Sequence, residues 1–149
     1  MKKKITETDL EIVRLLWDGR TPYQDIAKKI GVTTNTVRNR VNRMLEQDIL
    51  QIIGIVDPAA IPGHSSAFIG FTVEAHRIKE ISKQLGKLKG VVISACVSGR
   101  FNILTNCLFN QDFTYDDFMS KELPKVKGII SSETLYVMDG ERFNVRYVL

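Results

Sequence analysis

The sequence predicts an α+β protein in which three short helices precede a βαββαβ half. Apolar residues recur at helical spacing as far as Leu45, and β-branched and aromatic runs dominate after residue 64. Between these two patterns, the segment 57–63 holds two prolines and a glycine, which are typical of a linker. We therefore expect an N-terminal domain at 1–50, a strand and linker at 51–63, and a second domain at 64–149.

Capping and glycine signals define the first two helices. The segment Thr8–Glu11 has the pattern of a capping box, and an apolar stripe follows it as far as Trp17. Thr21–Gln24 places a proline at a second helix start, where its missing N–H costs nothing. Gly31 supplies a left-handed residue that can end this helix. These signals predict two helices joined by a short turn.

A third helix follows the glycine turn and runs to about Gln47. Thr33 can cap it. Its apolar residues recur on one stripe, namely Val37, Val41, Met44 and Leu45. Ala27, four residues before the turn glycine, leaves room for two helices to cross. This spacing indicates a helix-turn-helix, and the β-branched run 49–56 is expected to add a strand or hairpin arm, as in winged variants.

The second half alternates strand and helix signals. Strands are expected at 67–75, 91–97, 103–109 and 129–138, and helices at 78–89 and after Thr114. A weak internal repeat supports two related halves, because Leu85–Val92 and Leu123–Ile130 share a helix end, a glycine stop and a strand start. The order βαββαβ is that of a ferredoxin-like domain.

The strands of this half are apolar on both faces. Phe68, Gly70 and Thr72 alternate with Ala67, Ile69, Phe71 and Val73, so neither face of that strand carries charge. An antiparallel sheet covered on one side only normally alternates apolar with polar residues. We therefore expect the second face to pack against a second copy of the chain in a homodimer.

Charge is unevenly distributed along the chain. The formal net charge is +4 over 149 residues, yet no acid lies between Asp25 and Glu46. Two cysteines without Cys-x-x-Cys spacing indicate reduced thiols. No run approaches the roughly 18 apolar residues of a membrane span, and an acidic helix start, not an apolar signal region, follows the lysines at 2–4. We expect a cytoplasmic protein that does not bind membranes.

The third helix combines cations with amides and hydroxyls on its outward side. Arginine offers a bidentate fork to phosphate or guanine, and asparagine offers a donor and an acceptor to base edges in the major groove of double-stranded DNA. The first turn of a recognition helix points at the bases. We expect base contacts from Thr34, Asn35, Thr36 and Asn39. We expect phosphate and guanine contacts from Arg38, Arg40 and Arg43.

Nearly the whole chain resembles the Lrp/AsnC family, also called feast/famine regulatory proteins. The resemblance rests on four segments, which are Thr8–Leu16, Ile26–Thr33, Val37–Leu45 with Ile49, and Val56–Pro58. It implies a transcription regulator whose C-terminal sheets form dimers that assemble into tetramers or octamers. It also implies a small effector, usually an amino acid, bound between dimers.

The effector loop that this resemblance implies is Gly99-Arg100-Phe101-Asn102. The family pattern is Gly-x-aromatic-Asp, so Gly99 and Phe101 match, whereas Asn102 replaces the acid and Arg100 adds a cation. An amide lacks the full charge that would pair with an ammonium group, which alters the expected ligand. A plain hairpin turn in which Gly99 supplies a positive φ is the alternative.

Two other classes compete with the regulator hypothesis. Haem-pathway decarboxylases have a similar architecture, but the chain has only two histidines, His64 and His76, and lacks an evident nucleophile, metal or phosphate motif. An assembly protein without DNA binding would not need an acid-free helix face. We therefore expect a regulator that is not an enzyme and needs no cofactor or metal.

Overall fold

The computed structural model describes residues 5–149. Met1 to Lys4, with the lysines that precede the first helix, lie outside the described residues. The chain divides into two compact units between Ile53 and Gly54, inside the segment 51–63 that we expected to join two domains. The units are described separately below.

The N-terminal unit consists of three helices, α1 (Glu7–Leu15), α2 (Tyr23–Ile30) and α3 (Thr34–Glu46). The capping box of α1 joins Thr6 and Asp9, so the box expected at Thr8–Glu11 was wrong by two residues. With this earlier start, Asp9 lies in the first turn of α1, on the buried side of the helix with Ile12 and Leu16.

The turn between α2 and α3 has the expected conformation. Gly31 ends α2 with φ 70°, in the left-handed region where glycine is favoured. The Thr33 hydroxyl accepts a hydrogen bond from the Thr36 N–H at 3.1 Å and caps α3. Asp48 follows α3 with φ 52°, so an aspartate occupies the position expected for a C-terminal cap.

The core of the N-terminal unit lies where the three helices meet. It consists of Ile12, Leu16, Ile26, Ala27, Val37, Val41 and Met44. The stripe predicted for α3 is confirmed, with Leu45 half-buried beside it. Trp17, which we expected on the apolar stripe of the first helix, is instead 86% exposed, because α1 ends at Leu15 and Trp17 lies in the following turn.

The C-terminal unit contains the predicted βαββαβ order. Its elements are β1 (Ile55–Val56), β2 (Ser65–Val73), α4 (Ile78–Leu85), β3 (Val91–Cys96), β4 (Ile103–Phe109), α5 (Tyr115–Asp117), β5 (Ile129–Tyr136) and β6 (Val145–Arg146). A π turn and a 3₁₀ turn extend α5 to residue 125. The strand expected at 49–56 is reduced to β1, which pairs with β6, and no wing strand follows α3 in the described chain.

Four strands form one antiparallel sheet in the order β3-β4-β2-β5, which is the ferredoxin-like arrangement. Helix α4 and the helical segment after Thr114 cover its inner face, where Phe71, Ile81 and Phe118 are fully buried. The opposite face, called here the outer face, carries the alternate residues of each strand. Phe68 and Leu135 are paired on it, as are Ala95 and Leu104.

Candidate nucleic-acid interface and effector loop

From Thr34 to Leu45, helix α3 presents an acid-free, hydrogen-bonding surface to solvent, and its one acid, the exposed Glu46, is the last residue of the helix. Asn35, Arg38, Asn39 and Asn42 are exposed along it, while Val37 and Val41 between them are fully buried. Thr34 and Thr36 are half-buried, and the Thr36 hydroxyl lies 2.8 Å from that of Thr33 at the helix start. The side chains free to meet a ligand are therefore mainly the three asparagines and Arg38.

Arg40 and Arg43 have a partner in the N-terminal unit, the carboxylate of Asp9. Arg40 Nη1 lies 3.0 Å from Asp9 Oδ1, and Arg43 Nη2 lies 2.7 Å from Asp9 Oδ2. The Asp9 side chain is 0% exposed, whereas the arginine side chains are 30% and 45% exposed. The two ion pairs therefore connect the first turn of α1 to the middle of α3.

The start of α1 supplies two more donors to Asp9. The Thr6 N–H and the Thr6 hydroxyl each donate to Asp9 Oδ2 at 2.8 Å. Burial favours the protonated acid, but the hydrogen bonds from Thr6 and Arg40 and the charge of Arg43 outweigh it, and the pKa of Asp9 falls from 3.8 to about 2. Asp9 is therefore an anion at neutral pH.

We expected all three arginines of α3 to contact phosphates, but these ion pairs distinguish Arg40 and Arg43 from Arg38. Arg38 is exposed and makes no ion pair within the described residues, so its guanidinium is available to DNA. Arg40 and Arg43 are held by an internal acid, and their contact with DNA stays a prediction. Sequence reasoning missed Asp9, although an acid three residues before Ile12 and seven before Leu16 lies on the buried side of α1.

Asn102 in the effector loop uses both atoms of its amide internally. Its Oδ1 accepts from the Val73 N–H at 3.0 Å, and its Nδ2 donates to the Val73 carbonyl at 2.6 Å. A carboxylate could replace only the acceptor half of this pairing. The asparagine therefore ties the loop to the end of β2, which gives its presence a structural reason.

Phe101 and Arg100 lie against the outer face of the sheet. A Cβ on Gly70 would overlap the Phe101 ring, so the glycine makes room for that ring. The Arg100 guanidinium lies 4.8 Å from the Phe101 ring centroid and 2.6 Å from Glu133 Oε1. The loop thus packs over Gly70 through Phe101, and the charge of Arg100 is already paired with Glu133.

Two cavities lie elsewhere in the C-terminal unit. One of about 180 Å³ is lined by residues that include Asp57, His64 and Phe143. A second of about 340 Å³ is lined by Pro62, His64 and 110–112. The four residues of the predicted effector loop line neither of them.

Two family models match the two halves of the chain. Residues 5–45 match the AsnC-type helix-turn-helix domain, and residues 66–142 match the Lrp/AsnC ligand binding domain. The chain belongs to the Lrp/AsnC family. It is therefore a DNA-binding transcription regulator with a ligand-binding domain, in a family that is not enzymatic, so family membership decides against the decarboxylase alternative.

Relatives and solved structures agree with this assignment. An uncharacterized HTH-type transcriptional regulator of Pyrococcus abyssi is 30% identical over 135 residues, which cover 89% of this chain and 85% of the relative. The structure of E. coli AsnC is similar with a TM-score of 0.66 at 24% identity, covering 93% of this chain and 95% of that one.

A ligand complex is among the similar structures. The L-Met complex of a transcriptional regulator from Neisseria meningitidis has a TM-score of 0.67 at 15% identity, covering 98% of this chain and 96% of that one. At these identities the structural matches establish the fold.

None of the helices in residues 5–149 has the length and apolar composition that a membrane-spanning helix needs.

Proposed function

We propose that α3 recognises a specific operator in double-stranded DNA, with Asn35 and Asn39 directed at base edges and Arg38 at phosphate or guanine. The exposed surface of α3 from Thr34 to Leu45, which contains no acid, is the observation that carries this proposal. Asparagine can pair in a bidentate manner with adenine and arginine with guanine, while a carboxylate there would repel the phosphates. Thr34 and Thr36 lie in the first turn, where a recognition helix approaches the bases.

Selection of binding sites from random duplexes tests this assignment. The wild-type protein should enrich one sequence with two related half-sites, and Asn39→Ala should change the preferred base at a fixed position of each half-site. Arg38→Gln should weaken binding to all sequences alike if Arg38 contacts phosphate, and should relax the preference for one guanine in each half-site if it contacts a base. If both variants select the wild-type sequence with wild-type affinity, the surface of α3 is not the recognition surface.

We further propose that the protein acts in the cytoplasm as a homodimer formed through the outer face. Ile93 is 57% exposed and Leu135 is 45% exposed on that face, and burial of such side chains favours association. A two-fold dimer presents two recognition helices, as a DNA site with two half-sites requires. Sedimentation velocity should detect the dimer or a larger assembly of dimers, up to the octamer that we expect from the family.

A small effector completes the proposal. The ligand-binding domain and the L-Met complex of the similar Neisseria regulator support an amino acid or a related molecule as effector, and the loop Gly99–Asn102 is proposed as its site on the family resemblance. Because the Asn102 Oδ1 already accepts from the Val73 N–H, it offers the ammonium group of an amino acid one further lone pair and no charge. Calorimetry with the twenty amino acids tests whether one of them is the effector. If none gives a heat of binding, a different class of ligand is favoured.

A further inference from the structure

Asp9 connects the start of α1 to two arginines of the recognition helix. We propose that Asp9 is a positioning residue for operator recognition. It holds Arg40 and Arg43 inside the N-terminal unit, so these arginines orient α3, and this role replaces the phosphate contacts that we expected of them from the sequence. This inference rests on the proposed role of α3. It adds that Arg38 contacts DNA, whereas Arg40 and Arg43 position the helix.

The geometry of the Asp9 carboxylate supports a permanent pairing. Oδ1 accepts from Arg40, while Oδ2 accepts from Arg43 and from the N–H and hydroxyl of Thr6. Four donors match the roughly four lone-pair sites of a carboxylate. Three of these donors meet at Oδ2 and one at Oδ1, so both carboxylate oxygens are engaged within the N-terminal unit.

Burial explains why the arginines should remain in place on DNA. The Asp9 side chain is 0% exposed, and an arginine that moved to a phosphate would leave this buried anion with fewer partners. Loss of a partner to a buried charge is strongly unfavourable, whereas a phosphate contact is weakened by salt and by competing counterions. The exposed Arg38, which has no such partner in the described chain, can bind phosphate without this penalty.

The position of the two arginines gives the pairing its effect on recognition. Arg40 is one residue after Asn39, and Arg43 lies one turn further along α3, one residue after Asn42. Anchoring both to α1 fixes the rotation of α3 about its own axis. That rotation decides which way the exposed asparagines point.

The salt dependence of DNA binding can test which of the arginines contact phosphate. The probes are the duplex that the wild-type protein selects from a random pool and a shuffled duplex of the same composition. Each phosphate contact changes affinity by about threefold over a fourfold change in salt. The variants are Arg38→Gln, Arg43→Gln and Asp9→Asn, with Arg14→Gln and Glu7→Gln as charge-matched controls on α1, where both side chains are largely exposed.

The variants should differ in a way that a merely structural role would not produce. Arg38→Gln should flatten the salt dependence by one contact, whereas Arg43→Gln should leave it unchanged and reduce the preference for the selected duplex. Asp9→Asn should free both arginines, which would steepen the salt dependence by up to about tenfold over the same range and strengthen binding to the shuffled duplex. The controls should behave as wild type.

Arg43→Gln keeps the test decisive even if Asp9→Asn unfolds, because three of the four donors to Asp9 remain in that variant. If Arg43→Gln flattens the salt dependence as Arg38→Gln does, Arg43 contacts phosphate and the inference is overturned. If Arg38→Gln and Asn39→Ala have no effect on binding, the proposed role of α3 fails and the inference with it.

Discussion

We expect Asp9→Asn to remove a part of the free energy of unfolding of the N-terminal unit that depends on pH. Asparagine keeps the size of the side chain but cannot carry the charge that faces Arg40 and Arg43. The pKa of Asp9 is about 2 in the folded protein, compared with an ordinary value of 3.8. A lowered pKa in the folded state stabilises the protein wherever the acid is ionised in both states.

The size of the effect follows from this pKa. A shift from 3.8 to about 2 corresponds to at most about 2.4 kcal/mol, at about 1.36 kcal/mol per pKa unit. Water partly screens the arginine partners, which are 30% and 45% exposed, so we expect about 1 to 2 kcal/mol. This contribution is complete above about pH 4 and is lost as the pH falls towards about 2.

Fluorine NMR can measure this effect in the N-terminal unit alone. Trp17 is the only tryptophan of the chain, so a fluorotryptophan label gives one probe in that unit during urea unfolding. The difference between wild type and Asp9→Asn should shrink by about 1 kcal/mol between about pH 6 and about pH 2.5, because an acid with a pKa of about 2 is still partly ionised at the lower pH. Glu7→Gln, on the same helix, provides the control because its ion pair with Arg14 is largely exposed.

Two results would refute this reasoning. A difference between wild type and Asp9→Asn that stays constant with pH would mean that the charge of Asp9 does not stabilise the unit. A difference of equal size and pH dependence in Glu7→Gln would mean that the effect is one of net charge on α1 and not of the ion pairs with α3.

Three further predictions concern the C-terminal unit. Asn102→Asp should lower its free energy of unfolding by about 1 to 3 kcal/mol at neutral pH, because the Val73 carbonyl loses its donor and faces an anion. Acidification should restore part of the loss as the new acid is protonated, and urea unfolding at several pH values checks this. Gly70→Ala should destabilise the wild type, because the added methyl group overlaps the Phe101 ring. It should be nearly neutral in a Phe101→Ala background, and a double-mutant cycle measures the coupling free energy between the two positions. Ile93→Lys should shift sedimentation towards the monomer if the outer face forms the dimer, and an unchanged assembly would argue against that face.

The sequence predicted those parts of the fold that depend on local patterns. The stripe Val37–Val41–Met44 has helical spacing and is buried as expected, and Gly31 ends α2 with positive φ. Strand β4 has the predicted bounds, 103–109. Each of these features is determined by residues close together in the chain.

Contacts between distant residues could not be predicted in this way. Asp9 pairs with arginines 31 and 34 residues away, and no local pattern indicates which cation a buried acid will meet. Asn102 looked like a weakened ligand residue because its partner, the Val73 backbone 29 residues earlier, carries no side-chain signal. The candidate site was therefore predicted as a surface, whereas the roles of Arg40, Arg43 and Asn102 needed the structure.

The central claim is that the exposed side of α3 determines which DNA sequence the protein binds. Binding-site selection with wild type and Asn39→Ala tests it most directly, with Gln51→Ala, an exposed amide beyond the end of α3, as the control. We expect Gln51→Ala to select the wild-type sequence and Asn39→Ala to lose or change one base preference in each half-site. Identical selected sequences from all three proteins would contradict the claim.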